Sequence, residues 1–393
     1  MENFTFCSPT EFVFGKDCEN ECGAYVRKYG GSKVLLHYGS GSAVRSGLIG
    51  RVQKSLEDAG ITCVLLGGVK PNPRDTLVYE GIRICREQGI DFLLAVGGGS
   101  TIDSAKAIAA GVPYDGDFWD FYCGKAQIQA ALPLGVVLTI AAAGSEGSGD
   151  TVITKEDGMI KRGAGSPLLR SRFSVLNPAL TQTLSAYQTA CGAADIMAHV
   201  FERYFTNTEE VEITDRLCEA VLLTMCKETP RVIADPNHYQ ARANIMWAGM
   251  VAHNNIVGVG RQQDWNSHGL EHELSGLYDV AHGAGLAVIM PAWMEYVMPH
   301  NPMRFAQMAT RVFGCEMNFA APEVTALEGI RAFRRFLHSI GLPINFAELG
   351  AKESDIPVLV EKLGIGTGTR SGFMELNAQD VTAIYTIAAH AEL

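Results

Sequence analysis

Three histidines lie close together in "DWNSHGLEHELSGLYDVAHGAG": His268, His272 and His282. His268 and His272 are four apart and so share one face of a helix. His282 follows a Tyr278-Asp279 break and precedes Gly283-Ala284-Gly285, which lets another backbone come close. Upstream, in "CGAADIMAHVFERYF", Asp195 and His199 have the same helical spacing. Either alone reads as a satisfied polar residue of a buried helix. Together with the second segment they offer one carboxylate and several imidazoles, a donor set for a divalent metal, catalytic if a coordination position stays open. "HELSG" is not H-E-x-x-H, which excludes the helical metalloprotease motif. The spacing leaves open which of His199, His268, His272 and His282 bind, because His268 and His272 can chelate as a pair.

A second group of residues suits a dinucleotide. "AVGGGSTIDSAK" places Gly97, Gly98 and Gly99 at the end of a strand and Ser100 where a helix begins. Residues without side chains admit a bulky ligand, and the N–H groups of a helix start suit a pyrophosphate. Ser100-x-x-Asp103 also reads as a capping box, and the two roles are compatible at one helix start. "YGSGSAVRSG" supplies Gly39 and Gly41 after an earlier strand but Val44 where a third glycine completes the dinucleotide fingerprint. No acidic residue ends the Lys33–Tyr38 strand to hold a ribose 2′-hydroxyl; small polar residues and Arg45 stand there instead. That combination favours NADP(H) over NAD(H).

The elements that must position these groups change character along the chain. "KVLLHY" (33–38), "TCVLLG" (62–67), "DFLLAVG" (91–97) and "GVVLTI" (135–140) read as buried strands. Residues 44–59, 74–88 and 101–110 have helical apolar spacing. Nearly continuous apolar strands alternating with helices predict a parallel sheet covered on both faces. After "RFSVLNPALT" helical windows dominate. The expected organisation is an α/β dinucleotide-binding domain over residues 1–182 and an all-α metal-binding domain over 183–393, with the site in the interdomain cleft.

Composition narrows the function classes. The 393 residues carry a net charge of −11, which argues against nucleic acid or an anionic membrane as the main partner. With 47 % hydrophobic and 19 % charged residues, the chain reads as globular and enzyme-like. The longest apolar stretch, "AALPLGVVLTIAAAG", is too short and too broken by Pro133 and Gly135 to span a bilayer. No basic, then apolar leader is visible, and ten cysteines without a C-x-x-C pair fit free thiols, so a cytoplasmic protein is expected.

"GGGSTIDSAK", "LTIAAAGSEGSG", "SVLNPALT", "DIMAHVFERYF" and "DWNSHGLEHELSGLYDVAHGAGLAVIMPAWM" resemble the iron-containing (group III) alcohol dehydrogenase family over essentially the whole chain. The last segment is similar to its butanol dehydrogenase and NADPH-dependent aldehyde reductase branch. The resemblance implies an α/β nucleotide-binding domain, a helical domain and a metal, Fe2+ or Zn2+, bound by Asp195, His199, His268 and His282. It leaves His272 beside the metal for substrate contact or proton transfer. It puts the pyrophosphate at Gly97, Gly98, Gly99 and Ser100, with Asp103 towards the nicotinamide. Asn72, Thr139 and Lys161 then lie along the cofactor, and Gly39, Ser40, Gly41 and Ser42 at its adenosine end. It also implies a homodimer, with "EFVFG" in the contact. Two positions depart from the family pattern: Ala143 stands where threonine is usual, and Asn177 where aspartate is usual before Pro178.

The expected reaction is hydride transfer between a nicotinamide and a primary alcohol or its aldehyde, such as butanol and butanal. Two other readings compete. Dehydroquinate synthase shares the architecture and cofactors but binds a phosphorylated substrate, which calls for several cations. Between Arg242 and Arg304 the only Lys or Arg is Arg261, which disfavours it. A nucleotide-binding sensor without turnover is disfavoured by the intact ligand set.

Overall fold

The run Phe92–Gly97 is buried along its whole length because it lies inside a parallel sheet, between two other strands. The computed structural model describes residues 1–39 and 41–393. Its strands are β1 (Glu11–Phe14), β2 (Lys33–Gly39), β3 (Thr62–Val69), β4 (Phe92–Gly97), β5 (Leu134–Leu138), β6 (Asp150–Lys155), β7 (Ile160–Gly165) and β8 (Phe173–Leu176). Six of them form one parallel sheet in the order β1-β8-β5-β4-β2-β3. The intervening helices are α1 (Cys22–Lys28), α2 (Ser42–Arg45), α3 (Leu48–Asp58), α4 (Asp75–Gln88) and α5 (Gly99–Gly111). Val52 and Leu56 of α3 pack with Val34, Leu36, Leu94, Val96 and Val175 of the sheet. A strand buried this way needs no polar alternation, which is why its sequence reads as an unbroken apolar run.

Three local features differ from the sequence expectation. The single helix expected over 44–59 is two, broken where Gly47 takes φ 73 in the left-handed region that glycine adopts without strain. Glu11–Phe14 joins the main sheet by pairing with β8, register Glu11↔Phe173; its half-exposed residues hide it from a search for buried runs. β6 and β7 make an antiparallel hairpin outside the parallel sheet, with a turn at Gly158 (φ 81) and Met159 (φ 47).

The remaining chain is helical: α6 (Ala186–Tyr204), α7 (Glu212–Ala234), α8 (Tyr239–His253), α9 (Asn266–Tyr278) and α10 (His282–Val297), followed by shorter and longer helices to Ala389. A capping box starts α6: the Gln188 N–H donates to Ser185 Oγ at 3.1 Å, and the Ser185 N–H to Gln188 Oε1 at 3.2 Å. Its small residues Ala190, Gly192, Ala193, Ala194 and Ala198 let neighbours approach closely, so the helix is buried from Thr189 to Tyr204. Two compact units result, Cys7–Thr183 and Leu184–Leu393, the latter including Met1–Phe6. The first six residues group with the helical unit rather than the α/β one because the Glu2 N–H donates to the Gly260 carbonyl at 2.8 Å and Thr208 Oγ1 to Glu2 Oε1 at 2.6 Å. Among the described residues no helix is long and apolar enough to cross a membrane, and the ten cysteines are free thiols.

Candidate functional site

Asp195, His199 and Glu202 occupy successive turns on one face of α6, and all three are buried. His199 Nδ1 lies 2.9 Å from the Asp195 carbonyl and 3.2 Å from Asp195 Oδ1. A carbonyl oxygen only accepts, so Nδ1 carries the proton and Nε2 keeps its lone pair. Across from α6, the start of α9 is tied down by Glu202: Ser267 Oγ and the His268 N–H both donate to Oε1, at 2.5 and 3.0 Å, while His268 Nδ1 lies 2.5 Å from Oε2. The other ring nitrogen, His268 Nε2, faces Asp195 Oδ1 at 3.7 Å.

Asp279, with φ 52, reverses the chain after α9 so that α10 begins at His282. His282 mirrors His268. Its Nδ1 contacts Glu271 Oε2, and its Nε2 lies 3.7 Å from the same Asp195 Oδ1. Glu271 in turn accepts from Ser275 Oγ one turn along α9. The two glycines after His282 are dictated by packing. A Cβ at Gly283 would run into the Cys191 carbonyl of α6, and one at Gly285 would stand 2.6 Å from Glu271 Oε1.

The donor atoms of Asp195, His268 and His282 lie within 4.8 Å of one another. His199 stands outside this trio, its ring 4.6 Å from that of His268 and 4.1 Å from that of His253. His272, half-buried on the His268 face of α9, keeps its ring 5.7 Å from His282 and 6.4 Å from His268. Of the five residues expected at a metal, three thus converge tightly and two flank them.

The trio fits a cation. Asp195 Oδ1, Glu202 Oε2 and both ring nitrogens of His268 are buried with no hydrogen-bond partner. Glu202 Oε2 and His268 Nδ1 have each other as an ion-pair contact, whereas Asp195 Oδ1 and His268 Nε2 are left 3.7 Å apart, an arrangement that costs free energy unless something binds between them. Burial opposes ionisation of Asp195, but His199, His282 and His268 outweigh it and hold the carboxyl far below the usual range. Burial, then the neighbouring cations, keeps His199 neutral, as ligation requires. Burial also works against a charged His268, yet Glu202 and Asp195 outweigh it and push the ring up to about 9. These carboxylates call for positive charge, which a proton or a metal can supply.

In the α/β unit the glycine loop ends β4. Gly97 closes the strand, Gly98 caps α5 in an extended conformation, and Gly99 and Ser100 open the helix. The capping box expected of Ser100 and Asp103 is absent, since no side chain caps this start. Asp103 turns inward instead, accepting from Ser145 Oγ at 2.6 Å and the Val152 N–H at 3.0 Å. Thr139 follows β5 and its N–H donates to the Gly97 carbonyl at 3.0 Å. Asn72 holds a left-handed backbone (φ 50), its carbonyl accepting from Arg74 Nη1 at 2.8 Å, and Lys161 is buried in β7. Gly39 ends β2, while Gly41 (φ 142) and Ser42 open α2; Ser40 lies outside the described residues.

Sequence reasoning missed Glu202, Glu271 and Lys106. The first was legible as the residue seven after Asp195, on the same face; the second lies between two histidines of one face. Lys106, fully buried, donates from Nζ to the Ser145 and Asp150 carbonyls and to Ser145 Oγ at 2.7, 2.8 and 2.9 Å. Arg261 offers no anion site: it is buried, 3.0 Å from the Arg203 carbonyl and 2.8 Å from Asp215 Oδ1.

Residues 9–178 match the family model described as iron-containing alcohol dehydrogenase, and residues 189–389 match the C-terminal model of the same family. The chain belongs to the iron-containing alcohol dehydrogenase family. It is 42 % identical over 384 residues to a probable NADH-dependent butanol dehydrogenase 1 of Bacillus subtilis, covering 98 % of this chain and 99 % of that one. To the NADPH-dependent aldehyde reductase YqhD of Escherichia coli it is 34 % identical, covering 92 % and 93 %. A crystal structure of NADH-dependent butanol dehydrogenase A from Thermotoga maritima superposes with a TM-score of 0.96 at 40 % identity, covering 99 % of each chain. The chain is an NAD(P)-dependent oxidoreductase acting on CH–OH groups.

Proposed function

We propose that this member of the family interconverts short or medium primary alcohols, butanol among them, and their aldehydes, using NADP(H) and one divalent metal, Fe2+ or Zn2+. The observation that carries the proposal is the orphaned Asp195 Oδ1, faced by the Nε2 atoms of His268 and His282 at 3.7 Å each. Asp195, His268 and His282 would hold the metal, with His199 Nε2 as the fourth donor. Bound there, a divalent ion supplies Lewis acidity towards a carbonyl or alcohol oxygen. The names of the relatives support the substrate class, and a homodimer remains part of the reading.

The chain's own residues do the rest. The Gly97–Ser100 turn would take the pyrophosphate on the backbone N–H groups that start α5, where Gly97, Gly98 and Gly99 carry no side chains of their own. Asp103 and Lys106 fix the 143–152 segment that lies against it: a Cβ at Gly99 would stand 3.1 Å from that of Ala143. Aldehyde reduction consumes a proton as well as a hydride. His272 is the imidazole we assign to substrate contact or to passing that proton from solvent. NADP(H) is supported by the lack of a carboxylate at the end of β2 and by Arg45, exposed on α2.

The experiment strips the metal and follows NADPH and NADH oxidation with butanal, before and after adding ferrous or zinc ions without oxygen. Activity that returns with metal is the expected result. Undiminished activity in the metal-free protein would overturn the metal assignment, and failure on a broad carbonyl panel with metal and coenzyme bound would overturn the reductase reading. His272→Ala is expected to keep its metal and lose rate.

A further inference from the structure

We infer that Glu202 and Glu271 are positioning residues that fix the tautomers of His268 and His282 and thereby set how tightly the centre holds its metal; this rests on the metal reading above. A carboxylate oxygen has no hydrogen to give, so the tautomer that suits His282 Nδ1 bonded to Glu271, and His268 Nδ1 in ion-pair contact with Glu202 Oε2 at 2.5 Å, is the one protonated at Nδ1. In the neutral ring that ligation requires, the proton is then absent from Nε2, and both Nε2 atoms face Asp195 Oδ1. A ring held the other way round would point an N–H at the place where a ligand lone pair is needed. Such outer partners fix ring orientation and raise the basicity of the ligating nitrogen.

Both glutamates are held in place by further contacts. Glu202 has no exposed surface, and its second oxygen accepts from Ser267 Oγ and the His268 N–H, so the carboxylate cannot rotate away from the ring. Glu271, equally buried, accepts from Ser275 Oγ and lies in space that any side chain at residue 285 would fill. Two helices thus give up a side chain, at Gly285, and a hydroxyl, at Ser275, to seat one carboxylate under His282. The two pairs are alike in chemistry and come from different elements. Glu202 reaches from α6 to α9; Glu271 reaches from α9 to the first residue of α10.

The test uses Glu202→Gln and Glu271→Gln. Glutamine keeps the shape, and its oxygen can still accept from Ser267 or Ser275. Its amide then donates to Nδ1, which moves the ring proton to Nε2. Cobalt(II) affinity of the metal-stripped proteins is measured by competition with a chromogenic chelator, together with the visible cobalt spectrum and the melting temperature of the metal-free form. We expect each variant to bind cobalt 10- to 100-fold more weakly, with an altered cobalt spectrum and an unchanged metal-free melt. Glu202→Asp, which keeps an acceptor, should recover part of the affinity. Wild-type affinity in both glutamine variants would overturn the inference and leave the metal reading intact. A wild-type protein that takes up no cobalt would overturn that reading as well. If a glutamine variant melts early, weakened cobalt binding counts only where Glu202→Asp, equally early to melt, recovers affinity; equal loss in both would assign the glutamate to folding and overturn the inference.

Discussion

Lys106 Nζ donates to the Ser145 carbonyl at 2.7 Å from a position with no solvent exposure. Burial pulls the ammonium down to about 8, while Asp103, Asp150 and Glu146 push the other way, so it stays charged at neutral pH. Asp103 is pushed up by burial and held to about 6 by Lys106 and Ser145. Ser145 Oγ bridges the two, accepting from Nζ at 2.9 Å and donating to Asp103 Oδ1 at 2.6 Å. Removing the ammonium leaves buried acceptors unsatisfied, at a cost of about 1–3 kcal/mol each. Lys106→Met is therefore expected to lower the urea midpoint of the α/β unit and to weaken coenzyme binding, read by quenching of NADPH fluorescence. A variant with wild-type midpoint and coenzyme affinity would remove this pair from the account.

Gly283 and Gly285 are two residues apart on α10 but should fail differently. At Gly283 an added Cβ meets the Cys191 backbone carbonyl, which cannot step aside without moving α6. Gly283→Ala should destabilise the helical unit by about 3 kcal/mol, the upper part of the range for overpacking. At Gly285 the neighbours are Oε1, Cγ and Cδ of Glu271, so an added Cβ must unseat the carboxylate from under His282 rather than move a backbone. Gly285→Ala should therefore melt near wild type but lose metal. Equal loss of stability in the two, by thermal melts of metal-free protein, would contradict the distinction.

The buried strands and the imidazole-rich segments were legible because both leave local periodic signals: a continuous apolar run, and spacing by four. The break at Gly47 was hidden because apolar residues keep helical spacing on either side of it. β1 was hidden because an edge strand with half-exposed residues has no such run. At the site, spacing brought Asp195 and His199 together but could not show that His199 turns Nδ1 to its own helix, outside the tight trio. Glu202 and Glu271 escaped notice for a different reason. A glutamate on a helix ordinarily reads as solvated, and only the packing of α6, α9 and α10 reveals that these two are buried against imidazoles.

Arg45 gives the coenzyme preference a direct test. Its Nη1 would stand 3.0 Å from a Cβ at Gly41, so the guanidinium lies over the loop that follows β2. A charge-assisted bond to a 2′-phosphate is worth about 1.5–3 kcal/mol. Arg45→Ala should then raise the KM for NADPH roughly tenfold or more while leaving that for NADH nearly unchanged. Equal effects on both coenzymes, or a wild-type preference for NADH, would remove the 2′-phosphate from this site and align the chain with its NADH-dependent relatives.

His37 is expected to set an acid limit on the α/β unit. It is buried in β2, with Nδ1 at 2.8 Å from the Leu66 carbonyl and Nε2 at 2.8 Å from Ser104 Oγ. The carbonyl can only accept, so Nδ1 carries the proton, and Nε2 must stay bare to accept from the serine. Burial is the main reason the ring is pulled down to about 4, the bond to Leu66 acting weakly the other way. Between about pH 6.5 and pH 4 the unfolded chain therefore binds a proton that the native state refuses. The stability tied to the neutral ring is complete above about pH 6.5 and is lost as the pH falls towards 4, by about 3 kcal/mol in all. His37→Gln has no charge to acquire, so its urea midpoint should fall less than that of wild type between pH 6.5 and 4.5. Parallel pH profiles in the two proteins would show that another group sets the limit.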